Sequence, residues 1–66
     1  MKANRAYEIE VSREMIEVIE IESGEIALFW DLHPSQTGRM ARALRTDLAG
    51  LEAVEFLEKW TKWQFQ

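Results

Sequence analysis

The sequence predicts an α+β fold in which a three-stranded antiparallel β-meander is followed by two α-helices that pack on one face of the sheet. Three observations predict this fold. Apolar and acidic residues alternate near the start of the chain, which is typical of a half-buried strand. The pair Ser23-Gly24 lies between two apolar runs and indicates a hairpin turn. From Pro34 onward, apolar residues recur at helical spacing.

Three segments are predicted to be strands. The first is Tyr7–Val11, in which apolar side chains alternate with glutamates. The second is Met15–Glu22, where β-branched residues favour a strand over a helix. The third is Glu25–Leu32, which follows the hairpin turn directly. A three-residue turn at Ser12–Glu14 is expected to join the first two strands.

The predicted hairpins also predict which side chains share a face of the sheet. With Glu22 opposite Glu25 and Val11 opposite Met15, one face becomes almost wholly apolar. Its members are Tyr7, Ile9, Val11, Met15, Ile19, Ile21, Ile26, Leu28, Trp30 and Leu32, with Glu17 as the one acid among them. The opposite face combines glutamates with an apolar patch of Ile16, Val18 and Phe29.

The segment from Pro34 to Trp63 is predicted to form two helices. Proline suits the first helical turn, and His33 or Ser35 is expected to cap it. The apolar side chains from Thr37 to Leu51 share one sector of a helical projection, whereas those from Ala53 to Trp63 centre roughly 160° away. We therefore predict a break at Ala49–Gly50, with glycine as the terminator. The alternative is one unbroken helix that packs on its own sheet and on a partner chain.

Length and composition restrict the class of protein. The 66 residues suffice for one small domain, residues 1–66, in which residues 1–6 are expected to be frayed. Twelve acids against eight bases give a net charge of −4, which argues against a general nucleic-acid binder. The chain has no cysteine, which fits a reducing cytoplasm. No apolar run approaches the ~20 residues that cross a bilayer, and no signal peptide is recognisable.

No motif predicts catalysis, a cofactor or a metal site. His33 is the single histidine and has no HExxH-like spacing. The serines have no GxSxG-like setting, and the glycines form no phosphate-binding loop. Glu17 is the one acid expected on the apolar face, either as an acid of raised pKa or as the partner of an arginine or of the Trp30 indole. The sequence therefore predicts a protein that is not an enzyme.

Surplus apolar surface favours an interaction module. A chain this short cannot bury two apolar helix faces and a patch on the second sheet face, and such exposed patches usually mark a partner. We expect a small non-enzymatic protein-interaction or regulatory module that forms a homodimer or binds another protein. The expected interface residues are Ile16, Val18 and Phe29 on the outer sheet face and Val54, Leu57, Trp60 and Trp63 on the second helix.

Two alternatives rest on charge. Arg39, Arg42 and Arg45 near the start of the first helix could contact phosphates, which would make the protein a nucleic-acid binder. The seven acids between Glu8 and Glu25 could instead imitate nucleic acid, which would make it an inhibitor of a basic enzyme.

Overall fold

A computed structural model, which describes the backbone of residues 1–65 and the side chains of residues 1–63, confirms the predicted α+β fold. Three antiparallel strands form one open sheet in the order β1-β2-β3. They are β1 (Tyr7–Val11), β2 (Met15–Glu20) and β3 (Ile26–Asp31). The helical elements are a four-residue turn α1 (Ala3–Ala6), the longer helices α2 (Pro34–Gly50) and α3 (Ala53–Thr61), and a 3₁₀ helix over Lys62–Phe65.

The pairing of β2 with its neighbours differs from the predicted register by one residue. Ile16 lies opposite Trp30, and Val18 lies opposite Leu28. Both β2 side chains therefore face the helices, and both are fully buried. The predicted placement of Ile16 and Val18 on the outer face is wrong, because a shift of one residue moves every side chain of a strand to the other face.

The first turn is one cause of this shift. It contains two residues, Arg13 and Glu14, rather than the predicted three. The Ser12 N–H donates to the Met15 carbonyl at 2.9 Å, which places these two residues opposite each other. Val11 then lies opposite Ile16 instead of Met15.

The second connection also differs from the prediction. The loop covers residues 21–24, and the Glu20 N–H donates to the Glu25 carbonyl at 2.8 Å across its base. Gly24 has a φ of +76°, a conformation that glycine adopts without steric cost. Ile26 pairs with Ile19, but the next β2 residue, Val18, pairs with Leu28. Ala27 is therefore the extra residue of a β-bulge. Because of the bulge, Leu28 and Trp30 still point to the core, as predicted.

The core lies between the inner sheet face and the helices. Its largest fully buried side chains are Phe56, Ile16, Leu44 and Val18. The Tyr7 and Phe56 rings stack with their centres 5.8 Å apart. Such aromatic contacts add about 0.5–1.5 kcal/mol to the free energy gained from burial.

The predicted break between two helices is confirmed, although glycine does not cause it. Gly50 is the last residue of α2 and has helical backbone, whereas Leu51 is extended, with φ −97° and ψ 158°. The chain bends at Leu51 and Glu52, so the opposed apolar stripes of α2 and α3 reach the same core. The cap is as predicted: Pro34 opens α2, and the His33 side chain accepts a hydrogen bond from the Ser35 N–H.

The N-terminal segment is docked, whereas the sequence predicted a frayed end. Ala3 is fully buried, and its N–H donates to the Leu51 carbonyl at 2.9 Å. The Ala53 N–H donates to the Met1 carbonyl at 2.9 Å. These bonds hold the segment between α2 and α3 extended, and the Glu52 side chain then completes a capping box at the start of α3.

Candidate protein-interaction surfaces

The outer sheet face is divided into an acidic half and an apolar half. Glu8 and Glu10 of β1 point outward and are exposed. The apolar half lies toward β3 on the same face. There Ile19 of β2 pairs with Ile26 of β3, and Phe29 of β3 points to this face as well. Ile26 is 54% exposed and Phe29 is 42% exposed. We call Ile19, Ile26 and Phe29 the outer apolar strip.

Glu17 also lies on the outer face. It is half-buried and sits opposite Glu10 on one side and Phe29 on the other. The prediction that Glu17 interrupts the inner face is wrong. The one-residue shift in register that buries Ile16 and Val18 also moves Glu17 to the outer face. Trp30, its expected partner, lies on the opposite face of the sheet, so the two side chains do not meet.

A groove of about 490 Å³ lies between the end of β3, α2 and the end of α3. We call it the aromatic groove. The side chains that line it are Trp30, Asp31, Leu32, Gln36, Arg39, Met40, Ala43, Trp60 and Trp63. Trp60 is buried and its ring centre lies 6.0 Å from that of Trp63, which is half-exposed. The groove therefore has an apolar floor and an aromatic ring open to a partner.

The aromatic groove continues into a shallower one of about 390 Å³ that shares Arg39, Trp60 and Trp63 with it. Arg42 and Lys59 line this continuation. The fold thus brings the predicted arginine cluster and the predicted tryptophan cluster to one surface. Arg45 is exposed on α2 but lines neither groove.

Asp47 lines the shallower groove and bonds to two side chains of α3. Its Oδ2 atom accepts hydrogen bonds from Lys59 Nζ at 2.7 Å and from Trp60 Nε1 at 3.0 Å. Lys59 Nζ also lies 5.4 Å from the centre of the Trp60 ring. These contacts fix Trp60 between core and groove, and they place a cation beside the negative charge of Asp47.

Trp30 is held in the groove wall by packing. Its ring meets Trp60 edge to face, with the centres 6.0 Å apart. Its buried Nε1–H has no acceptor among the side chains and backbone groups that the structure describes. A buried donor without an acceptor costs about 1–3 kcal/mol, and burial of the apolar part of the indole together with the aromatic contact offsets that cost.

A third surface lies between β1 and α3. It is a groove of about 500 Å³ lined by Tyr7, Ala53, Val54, Leu57, Glu58, Thr61 and Lys62. Val54 is 69% exposed, and Leu57 is half-buried. The predicted α3 stripe is therefore split, because Val54 and Leu57 line this groove while Trp60 and Trp63 line the aromatic groove.

Two further observations concern the described part of the chain. No three histidine, aspartate or glutamate side chains there lie close enough together to hold a metal ion. No helix within residues 1–65 has the length and apolar character needed to cross a membrane.

Comparisons of the chain with protein-family models, with curated proteins and with solved structures found no match.

Proposed function

We propose that this protein is a non-enzymatic protein-interaction module that works as a homodimer. We also propose that it acts in the cytoplasm, since a chain without cysteine suits a reducing compartment. The observation that carries the proposal is the outer apolar strip. Ile26 and Phe29 are exposed beside Ile19 on a sheet face opposite the core. Exposed apolar groups that adjoin one another usually mark a binding surface.

The position of the strip points to β3 as the side that meets the partner. β1 and β3 are both edge strands. β1 carries Glu8 and Glu10 in its middle, and charges of this kind protect an edge against pairing. β3 carries a single acid, Asp31, at its last position. The Ala27 bulge limits the regular part of this edge to residues 28–31.

A two-fold axis beside β3 brings the apolar strips of two copies together and keeps their acidic halves apart. Each β1 lies two strand spacings, about 10 Å, from the β3 of its own sheet. The β1 acids of the two copies are then separated by more than the Debye length of about 8 Å at physiological salt. Their mutual repulsion is therefore largely screened.

Sedimentation velocity on Phe29→Glu tests this surface. We expect the variant to sediment as a folded monomer under conditions in which the wild-type chain is a dimer, because the substitution places a charge in the interface. Val54→Glu is the matched control, since Val54 is exposed in a different groove. A Phe29→Glu variant that dimerises as well as the control would contradict the proposed surface.

Nucleic-acid binding is the second candidate function. It is favoured by the position of Arg39 and Arg42 beside the half-exposed Trp63 ring, since cations and a stacking ring together suit single-stranded nucleic acid. The test is the fluorescence anisotropy of a labelled single-stranded oligonucleotide. Salt-dependent binding that disappears in Arg39→Ala/Arg42→Ala would support this candidate, and the absence of binding at low salt would remove it.

A further inference from the structure

We infer that the aromatic groove of each copy receives the β2–β3 hairpin tip of the other copy, so that the dimer contains two reciprocal tip-in-groove contacts. The hairpin tip comprises Ile21, Glu22, Ser23, Gly24, Glu25 and Ile26. This inference rests on the proposed homodimer and specifies how the two copies recognise each other.

The first argument is charge complementarity within one sequence. Residues 1–33 hold eight acids and three bases, whereas residues 34–66 hold four acids and five bases. The exposed acids of the tip are Glu22 and Glu25. The aromatic groove and its continuation are lined by three bases, Arg39, Arg42 and Lys59, and by two acids, Asp31 and Asp47, of which Asp47 is bonded to Lys59. Two copies therefore attract each other when the tip of one meets the groove of the other. Complementary charges of this kind select both partner and orientation.

The second argument is that tip and groove both expose apolar groups. Ile21 is 46% exposed at the start of the loop. In the groove, the Trp63 ring is half-exposed next to Met40 and Leu32. Tryptophan and arginine are the residue types that contribute most to the free energy of association at protein interfaces.

The tip is also ordered before any partner binds. The Gly24 N–H donates to the Glu20 carbonyl at 2.8 Å, and Ser23 Oγ donates to Glu20 Oε1 at 2.7 Å. The Glu25 N–H donates to Ser23 Oγ at 3.2 Å. A loop held by these bonds loses little conformational entropy on docking, which favours association.

The positions of tip and groove along β3 fit a closed dimer. The tip leads into β3 at Ile26, while Asp31, the last residue of β3, lines the groove at the other end. A strand of six residues spans about 20 Å. Two β3 strands that run antiparallel about a two-fold axis place each tip beside the groove of the partner. Both contacts then form in the same dimer, so the tip-in-groove contact closes and does not extend into a fibre.

A second copy suits the groove better than nucleic acid does. Trp63 is half-exposed, but Trp60 is 5% exposed and offers little face for a second base. Proteins that bind single-stranded nucleic acid by base stacking present several exposed aromatic rings to successive bases. The tip, in contrast, offers both the apolar side chains and the acids that the groove complements.

A pair of charge-reversal variants tests the contact directly. The groove variant is Arg39→Glu/Arg42→Glu, and the tip variant is Glu22→Arg/Glu25→Arg. In each variant alone, like charges face each other at both contacts, so we expect dimerisation to weaken about tenfold or more. In an equimolar mixture, every tip finds a groove of opposite charge in a heterodimer. Sedimentation velocity should then show that the dimer is restored.

The controls separate this inference from the proposed function. Glu8→Arg/Glu10→Arg changes the same number of charges on the β1 side and should leave the dimer intact. All altered residues are exposed, so circular dichroism should show the wild-type fold. If the wild-type chain is a monomer, the homodimer and this inference both fall. If the wild type dimerises but the variants dimerise equally well, or their mixture stays monomeric, the tip-in-groove contact is overturned and the homodimer stands.

Discussion

At the scale of single residues, Asp47 connects α2 to α3. We predict that Asp47→Ala lowers the free energy of unfolding by about 1.5–3 kcal/mol, because Trp60 Nε1 and Lys59 both lose a charged acceptor. Urea unfolding measures this change. Asp31→Ala is the control, since Asp31 is exposed at the end of β3. Equal unfolding midpoints for the two variants would contradict the role given to Asp47.

The Glu52 carboxylate makes stability depend on pH. A hydrogen bond from the Met1 ammonium group, its positive charge and the nearby Lys2 hold the pKa of Glu52 below its ordinary value of 4.5. A carboxyl group whose pKa is lower in the folded state stabilises that state above its unfolded pKa, and the contribution disappears as pH falls through the folded pKa.

We therefore predict that Glu52→Gln lowers the melting temperature most above pH 4.5 and that the difference from wild type closes in more acidic solution. Thermal unfolding followed across this pH range measures the effect. Glu8→Gln, a change on the outer sheet face, is the control for the loss of one negative charge. A difference between Glu52→Gln and wild type that stays constant with pH would be inconsistent with this assignment.

At the scale of elements, the sequence pattern of β2 does not determine which face of the strand is buried. Both of its faces carry β-branched apolar residues: Ile16 and Val18 on one, Ile19 on the other. Either face could therefore be buried, and the outcome depends on the length of the preceding turn. The Ser12–Glu14 stretch has no glycine to indicate that length, so the sequence could not predict it.

Opposite outcomes are predicted for the same substitution on the two sheet faces. Val18→Glu should prevent stable folding, because it buries a charge at a position with no exposed surface. Phe29→Glu should keep the fold, since position 29 is 42% exposed on the outer face and a carboxylate there can reach solvent. Far-UV circular dichroism and thermal unfolding distinguish them. A Val18→Glu variant as stably folded as Phe29→Glu would support the register predicted from sequence instead, in which both residues lie on the outer face.

Substitution by alanine should change the stability of the protein in opposite directions at Gly50 and at Gly24. Gly50 has helical backbone, and an added methyl group would meet nothing within 4 Å. Gly50→Ala should therefore stabilise the protein by about 0.5–1 kcal/mol. Gly24→Ala should destabilise it, because the φ of +76° strains a residue with a side chain. Chemical denaturation measures both, and a destabilised Gly50→Ala would show that flexibility at the break matters more than helix propensity.

At the scale of the whole molecule, the helical half was predictable because its pattern is unambiguous. The change of apolar phase after Leu51 requires a bend if both stripes are to reach one core, and the structure has that bend. Its cause was not predictable. The bridge between Lys2 and Glu52 joins residues 50 positions apart, and the polar start of the chain gave no sign of such docking.

The candidate site was predictable as a set of residues but not as an arrangement. The sequence indicated Arg39 and Arg42 for one function and Trp60 and Trp63 for another. Folding brings them together because α3 returns along α2, and Asp47 joins the two helices across 13 positions. No helical spacing rule covers a contact of that length, since such rules relate residues three or four apart.

Self-association is the central claim, and the molar mass of the wild-type chain in solution tests it most directly. A dimer is what a chain of 66 residues with an exposed apolar strip is expected to form, because a domain of this size buries only about 60% of its unfolded surface. Light scattering at micromolar concentration should give twice the chain mass of 7.8 kDa, falling on dilution. A folded protein that keeps a mass of 7.8 kDa throughout that range would contradict the account.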